Sequence, residues 1–416
     1  MPRAAGAPDV LIVGSGPAGA MAARDLARAG ARVVILERGA GTDPGNSLLG
    51  LWRRREALHI APGVLLLRSL RVGGGSVTFF HTATPTPLEM FARRGVDLAA
   101  DLAAVRAEIP NAPLRDDLRG PMTRRIELAA LSLGLPWAAL PKMIDQSLCA
   151  DGFCPPPAFW SAQALLDQAI AAGAELVTGV QVSRVLLAGG RADGVEARRG
   201  GATTVHRAGR VVLAAGGTAT PVILQASGVA EAGNGFFCDP LRVVMGAVAD
   251  VRSRNDIPMS AGYLDRPGGF MLSDISVPEN FYRAFVWAAG RPDRLWRYAR
   301  TAMIMVKIRD DIDGRIDRSG RPWRRFGAAD KARMAAGVAQ ARAILAAAGT
   351  GRPFLSPWVA AHPGGTVRLG ELVDAELRCR ADNLHVCDAS VIPEPWGLPP
   401  TLTLLALGRY LARRLG

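Results

Sequence analysis

The apolar run Val10-Leu11-Ile12-Val13 leads into Gly14-Ser15-Gly16-Pro17-Ala18-Gly19, then into a helical stretch from Ala20 to Ala29. A second apolar run, Arg32 to Leu36, ends at Glu37. This order predicts the strand, tight turn, helix and strand of a dinucleotide-binding unit. Gly14 permits the turn, Gly16 lets backbone approach a pyrophosphate, and Gly19 lets the helix sit close to the strand. The helix start offers unpaired N–H groups and a positive dipole end to phosphates. Glu37 falls where a carboxylate accepts hydrogen bonds from ribose hydroxyls, which favours an unphosphorylated adenosine ribose.

Two further stretches repeat this punctuation. Arg71-Val72-Gly73-Gly74-Gly75-Ser76 places three glycines in a row, so a flat ligand can lie against bare backbone. Arg210 to Ala214 reads as a buried strand running into Ala215-Gly216-Gly217 and a short helix to Ala226, a second strand–turn–helix crossover. Between them, Val180 to Leu187, Ala192 to Ala197 and Thr203 to His206 predict a small antiparallel sheet.

Beyond Pro240 the texture changes. Leu241 to Val251, Gly269 to Ser273, Ala284 to Ala289 and Thr301 to Arg309 predict strands, and Asp330 to Ala348 predicts a long helix. Met259, Tyr263, Phe270, Met271, Phe281, Tyr282, Phe285 and Trp287 are available to line an apolar pocket or to form core. Near the end, an apolar strand from Leu384 closes on Asp388-Ala389-Ser390, and Pro399-Pro400 opens a helix from Thr401 to Leu415.

With 416 residues, more than one core is expected. A net charge of +13 invites a nucleic-acid reading, but the basic residues are scattered and nearly all arginine. No nucleic-acid partner is therefore expected, although the charge leaves room for peripheral contact with an anionic membrane surface. Five cysteines form no CxxC pair and no zinc spacing, so no metal site is expected. Their odd number, with no secretory leader before the first strand, points to a reducing, cytoplasmic setting. No apolar stretch reaches the length of a membrane span.

Taken together, these motifs resemble the glucose–methanol–choline (GMC) family of FAD-dependent oxidoreductases, in a short bacterial-type form. The resemblance runs through the N-terminal fingerprint with Glu37, Arg71 to Ser76, and Leu213 to Gly217 with Thr220-Pro221 and Ser227-Gly228-Val229. It continues in His362-Pro363-Gly364-Gly365-Thr366 and in Asn383 to Ser390 with Pro400-Thr401-Leu402-Thr403. It implies an α/β architecture: a Rossmann-like FAD-binding domain and a substrate domain built on an antiparallel sheet with helices. The FAD-binding parts would be residues 1–85, 156–240 and 358–416, with a helical and loop insertion at 86–155 and the substrate domain at 241–357. Met305 to Leu345 is most similar to bacterial members acting on hydrophobic or long-chain alcohols.

The resemblance also implies roles. FAD would be held non-covalently by Gly14, Gly16, Gly19, Glu37, Arg38, Arg71, Gly74, Gly75, Ser76, Val182, Ala215, Gly216, Asp388, Ala389, Pro400 and Thr401. His362 would be the base that takes the hydroxyl proton while the hydride goes to the flavin, since an imidazole titrates near neutral pH. Phe79, Trp396, Leu398 and Pro399 would complete the catalytic pocket, with Glu394 near enough to reshape it. His81 lies in a region where some relatives attach the flavin covalently.

Two departures stand out. The family usually places His or Asn where this chain has Pro399, which offers neither a side-chain donor nor a backbone N–H. Several relatives carry Asn where this chain has Phe79. The expected activity is oxidation of a hydrophobic alcohol to an aldehyde or ketone, with oxygen, a quinone or another carrier as acceptor. The alternative is the same scaffold diverted to a reduction, a desaturation, or a non-redox lyase or isomerase reaction on a hydrophobic metabolite.

Overall fold

A computed structural model describes residues 6–41, 48–53, 56–60 and 63–416. Most of the loop expected over the nucleotide after Gly39 lies outside the described residues, as do Arg54 and Arg55. The nucleotide unit forms as its residues dictate. Val10–Val13 is wholly buried and pairs in parallel with Val33–Leu36 on one side and Arg210–Leu213 on the other. Ala381–Val386 extends the sheet beyond Arg210–Leu213, Glu175–Val177 flanks Val33–Leu36, and Arg378–Cys379 closes the far edge. The register aligns Val13 with Leu36 and Leu213, and Leu213 with Val386, so four strands end level. The turns that follow them therefore open on one crevice, where ligands of such sheets collect.

Helix Pro17–Arg28 covers this sheet and packs on the C-terminal helix Thr401–Leu415. Gly408 allows the close approach: a Cβ there would lie 2.4 Å from the Ala18 carbonyl oxygen. The small antiparallel sheet is Gln181–Ala188, Arg191–Arg199 and Ala202–Arg207.

The second large sheet has nine strands and is mainly antiparallel. Its buried centre is Thr301–Ile308, flanked by Pro240–Ala247 and Phe270–Asp274. Because side chains alternate along a strand, its two faces carry different cores. Ile304, Val306 and Ile308 join Val244 beneath helix Ala328–Ala347, whereas Met303 and Met305 join Val243 and Met245 on the opposite face. Lys307 belongs to that second face by parity, opposite Leu241.

The segment expected as a strand at Ala284 to Ala289 is instead the helix Glu279–Ala288. Tyr282, Phe285 and Val286 are its buried residues, a spacing of three and four that suits one helical face and not a strand. Cys149 and Cys154, which form no CxxC pair, are joined in a disulfide. The reversal at Ala150–Phe153, with positive φ at Asp151 and Gly152, brings the two Cα atoms to 4.4 Å, and residue spacing carried no sign of it. Cys238, Cys379 and Cys387 are free and buried.

Candidate active site

A cavity of about 1380 Å³ runs from the Gly14–Ala18 turn, past Gly74–Ser76 and Ala215–Gly217, to His362 and the inner face of the nine-stranded sheet. At its nucleotide end the glycines have separable duties. A Cβ on Gly14 would lie 2.3 Å from the Ala214 carbonyl oxygen, and one on Gly19 2.3 Å from the Gly14 carbonyl oxygen, so both are packing positions. Gly16 faces open space, as a position approached by a ligand should. Gly74 has φ +56°, and a Cβ there would lie 2.8 Å from the Gly16 Cα, so the two glycine turns pack against each other.

Glu37 is buried, and both its oxygens are engaged. Oε2 accepts from Ser15 N at 2.9 Å and Ser15 Oγ at 2.6 Å, while Oε1 accepts from Gly39 N at 2.6 Å. Ser15 Oγ in turn accepts from Gly73 N at 3.1 Å. The carboxylate thus shapes the Gly14–Gly19 turn as well as facing the cavity. Arg71 is held in a buried pair with Glu56, Nε to Oε1 at 3.0 Å, which anchors the second glycine turn. Asp388 accepts from Gly216 N at 2.8 Å, Thr220 Oγ1 at 2.5 Å and Ser390 N at 2.8 Å, locking two strand-end turns together. Burial pushes its carboxyl above the ordinary range, against the pull of the Ser390 and Thr220 bonds.

Arg38, Arg71, Gly75, Val182, Ala215, Ala389, Pro400 and Thr401 also line this cavity; Gly19 does not, because it packs helix on strand. The open cradle at Gly16, the helix end above it and the amides around it fit a dinucleotide diphosphate.

At the other end, His362 follows strand Trp358–Ala360 and sits at φ +54°, a backbone region that non-glycine residues rarely occupy. Its Nδ1 lies 2.8 Å from Lys307 Nζ and 3.3 Å from Asp239 Oδ2, and Lys307 Nζ lies 3.0 Å from the same Oδ2. Lys307 and Asp239 are 1% and 3% exposed, whereas the histidine side chain is 25% exposed. Among the described residues Nε2 has no protein partner, and the ring lines the cavity. Burial and, after it, the Lys307 charge hold His362 down to about 4, with Asp239 opposing; the ring is neutral at pH 7. Burial likewise lowers Lys307, against the attraction of Asp239.

Behind them Asp310 accepts from the Cys238 and Asp239 backbone N–H groups and pairs with buried Arg324. Lys307 and Asp239 were not legible in the sequence. The one available signal was a lysine inside the apolar run from Thr301 to Ile308 in a chain with three lysines.

Phe79 and Pro399 line the cavity, and the Pro399 carbonyl accepts from Thr84 Oγ1 at 2.5 Å. Trp396 and Leu398 do not line it. Trp396 is wedged between the core of the parallel sheet and the core on the Met303–Met305 face, its indole N–H without a hydrogen-bond partner among the described residues, and Leu398 is buried in the latter core. Glu394 turns outward to Arg94 at 3.0 Å. His81 points away from the cavity, its Nδ1 3.1 Å from the Trp160 carbonyl oxygen and its ring between Phe79 and Phe159. Of the aromatic and methionine candidates beyond Pro240, Met259, Phe281 and Phe285 reach the cavity. Tyr282, Phe270 and Met271 are core, and Trp287 is exposed.

Comparisons with known proteins give the family. Models described as GMC oxidoreductase match residues 114–246 and 323–408, together more than half of the chain. An FAD binding domain model matches residues 7–46. A GMC-type oxidoreductase of Mycobacterium tuberculosis is 29% identical over 97% of this chain and 75% of its own length. A long-chain-alcohol oxidase of Arabidopsis thaliana is 24% identical over 98% of this chain and 67% of its own. Among solved structures, pyridoxine 4-oxidase from Mesorbium loti gives a TM-score of 0.77 at 18% identity, covering 97% of this chain and 98% of that one. A formate oxidase variant from Aspergillus oryzae gives 0.78 at 16%, covering 99% of each chain. Dinucleotide cradle, two-sheet architecture and matched segments lead to one conclusion: this chain belongs to the GMC oxidoreductase family and is an FAD-dependent oxidoreductase.

Proposed function

We propose that the protein oxidises a hydrophobic alcohol at its CH–OH carbon, giving an aldehyde or ketone, with His362 as the base. The observation that carries the reading is one imidazole, its Nε2 without a protein partner among the described residues, on an otherwise largely apolar wall formed by Leu241, Val243, Val277, Phe281, Phe285 and Met305. FAD supplies the hydride acceptor when bound. His362 takes the hydroxyl proton at Nε2, the ring nitrogen left free by its protein contacts. The apolar wall binds the carbon chain and excludes water from the reacting carbon. Kinship with a long-chain-alcohol oxidase supports this substrate class.

Pro399 favours the second reading, the scaffold diverted to a different reaction on a hydrophobic metabolite. It brings no donor to the substrate oxygen, and its carbonyl is already bonded by Thr84. An anaerobic titration of the purified flavoprotein with primary and secondary alcohols of increasing chain length separates the two. Loss of the oxidised-flavin absorbance supports alcohol oxidation. An unchanged spectrum across the panel moves the assignment to the diverted chemistry. Oxygen is the first acceptor to test, because several relatives are named as oxidases, and readmitting air tests it; quinones follow.

A further inference from the structure

We propose that Lys307 is the terminal proton holder behind His362, a positioning residue that receives, through the imidazole, the proton taken from the substrate hydroxyl. The inference rests on His362 being the base.

The strand places Lys307 where a methionine would continue the pattern, on the face of Met303 and Met305, 1% exposed. A buried ammonium needs acceptors, and those offered are Asp239 Oδ2 at 3.0 Å and His362 Nδ1 at 2.8 Å. Nδ1 can accept only when the ring proton sits on Nε2. In that tautomer the ring presents N–H to the cavity and cannot take a proton. For Nε2 to act as a base, Nδ1 must carry the proton and find an acceptor. The shorter contact is Lys307 Nζ at 2.8 Å, which can accept that proton only as the neutral amine; Asp239 Oδ2 stands at 3.3 Å.

Desolvation favours that neutral amine. The groups acting on it are His362, Asp239 and, through space, Asp310, whose charge is offset by Arg324 at 3.1 Å. In the step, the substrate O–H bond breaks and its proton bonds to Nε2. The Nδ1–H bond breaks and that proton takes the lone pair of Nζ. No electrons leave the relay. The product state is a Lys307 ammonium against the Asp239 carboxylate and the bare Nδ1, an arrangement that accounts for both short contacts of Nζ. After product release the proton returns through the ring to solvent entering the cavity.

Arginine separates this role from a structural or purely electrostatic one. It keeps the charge and the donors but cannot give up a proton in the working range. Flavin reduction by the best alcohol is measured against pH in the FAD-loaded wild type, K307R, K307M and H362A. Both Lys307 variants are expected to keep FAD and to reduce it at least about tenfold more slowly. Both should lose the inflection through which the wild-type rate rises with pH. Wild-type rates and an unchanged inflection in K307R would overturn the proposal.

Should a variant fail to load FAD, the wild-type holoenzyme labelled with 15N-histidine decides, its His362 signal assigned against H362A. A proton on Nδ1 above the inflection and on Nε2 below it supports the relay; one tautomer throughout sinks it. Full turnover in H362A would instead remove the reading of His362 on which the relay depends.

Discussion

Gly217 stands directly against Pro363: a Cβ at position 217 would lie 2.1 Å from the Pro363 carbonyl oxygen. The Thr366 hydroxyl adds a hydrogen bond to the Gly217 carbonyl at 2.9 Å. The turn after a central strand of the nucleotide sheet is thus in backbone contact with the loop that carries His362. A methyl group at 217 must shift one backbone or the other. Gly217→Ala is expected to displace the imidazole and lower turnover per bound flavin on the order of a hundredfold, the usual cost of ~1 Å misplacement. Turnover normalised to flavin absorbance checks this, and an unchanged value would contradict the coupling.

Glu37 holds three donors, from Ser15 and Gly39. Glu37→Ala leaves buried donors unpaired beside the Gly14–Gly19 turn, a loss of about 1–3 kcal/mol. FAD affinity should fall about tenfold or more, while protein that remains loaded keeps its rate of flavin reduction. Titration of apoprotein with FAD reads the first part, and an unaltered Kd would show that the turn holds its shape without the carboxylate.

His362→Ala should keep FAD and lose at least about a hundredfold in turnover, the contribution of a positioned general base. The variant retains the nucleotide end of the cavity, so flavin stoichiometry serves as its internal control.

Acid should destabilise the fold through two histidines. His362 is held down to about 4 by burial and Lys307, and His81 to about 4 by burial and Lys142. Unfolded, each titrates near ~6.5. Between those values the unfolded chain binds more protons, so stability falls as pH drops through that window and is fully present above it. Urea unfolding across the window should show the loss, and His81→Asn should reduce its slope. A slope unchanged by that variant would place the acid sensitivity elsewhere.

Lys142 is fully buried and donates to the carbonyl oxygens of Phe80 and Pro258 and to Thr82 Oγ1, tying the Phe80–Thr82 segment to the turn before Met259. Lys142→Met removes these bonds, leaving the Pro258 carbonyl without its lysine donor, and should destabilise the protein by about 1–3 kcal/mol. A denaturation midpoint equal to wild type would show that the segment repairs itself.

Both sides of the cavity were partly legible before the fold was known, and the misses share a cause. Ala284 to Ala289 reads as a strand because it is a short apolar run, and periodicity separates helix from strand only when the flanking Tyr282 is counted with it. Trp396 follows Pro395 within a few residues of the lining Pro399, yet its ring fills the seam between two cores; proximity in sequence says nothing of direction. The Cys149–Cys154 bond depends on a reversal at Asp151-Gly152 that five residues of spacing do not announce.

What the sequence determined by itself is local: the strand, glycine turn and helix at Val10–Arg28, the acid at Glu37, and the ordered motifs through His362 to Thr401 that identify the cofactor. Such features depend on backbone conformations and close approaches set within a few residues. The tertiary structure alone decided the chemistry around His362. Lys307 and Asp239 lie 55 and 123 positions from it, and they meet the imidazole only because strand register and side-chain parity turn both toward one buried nitrogen. A buried charge acquires its role from its partners, and strand pairing is what supplies them.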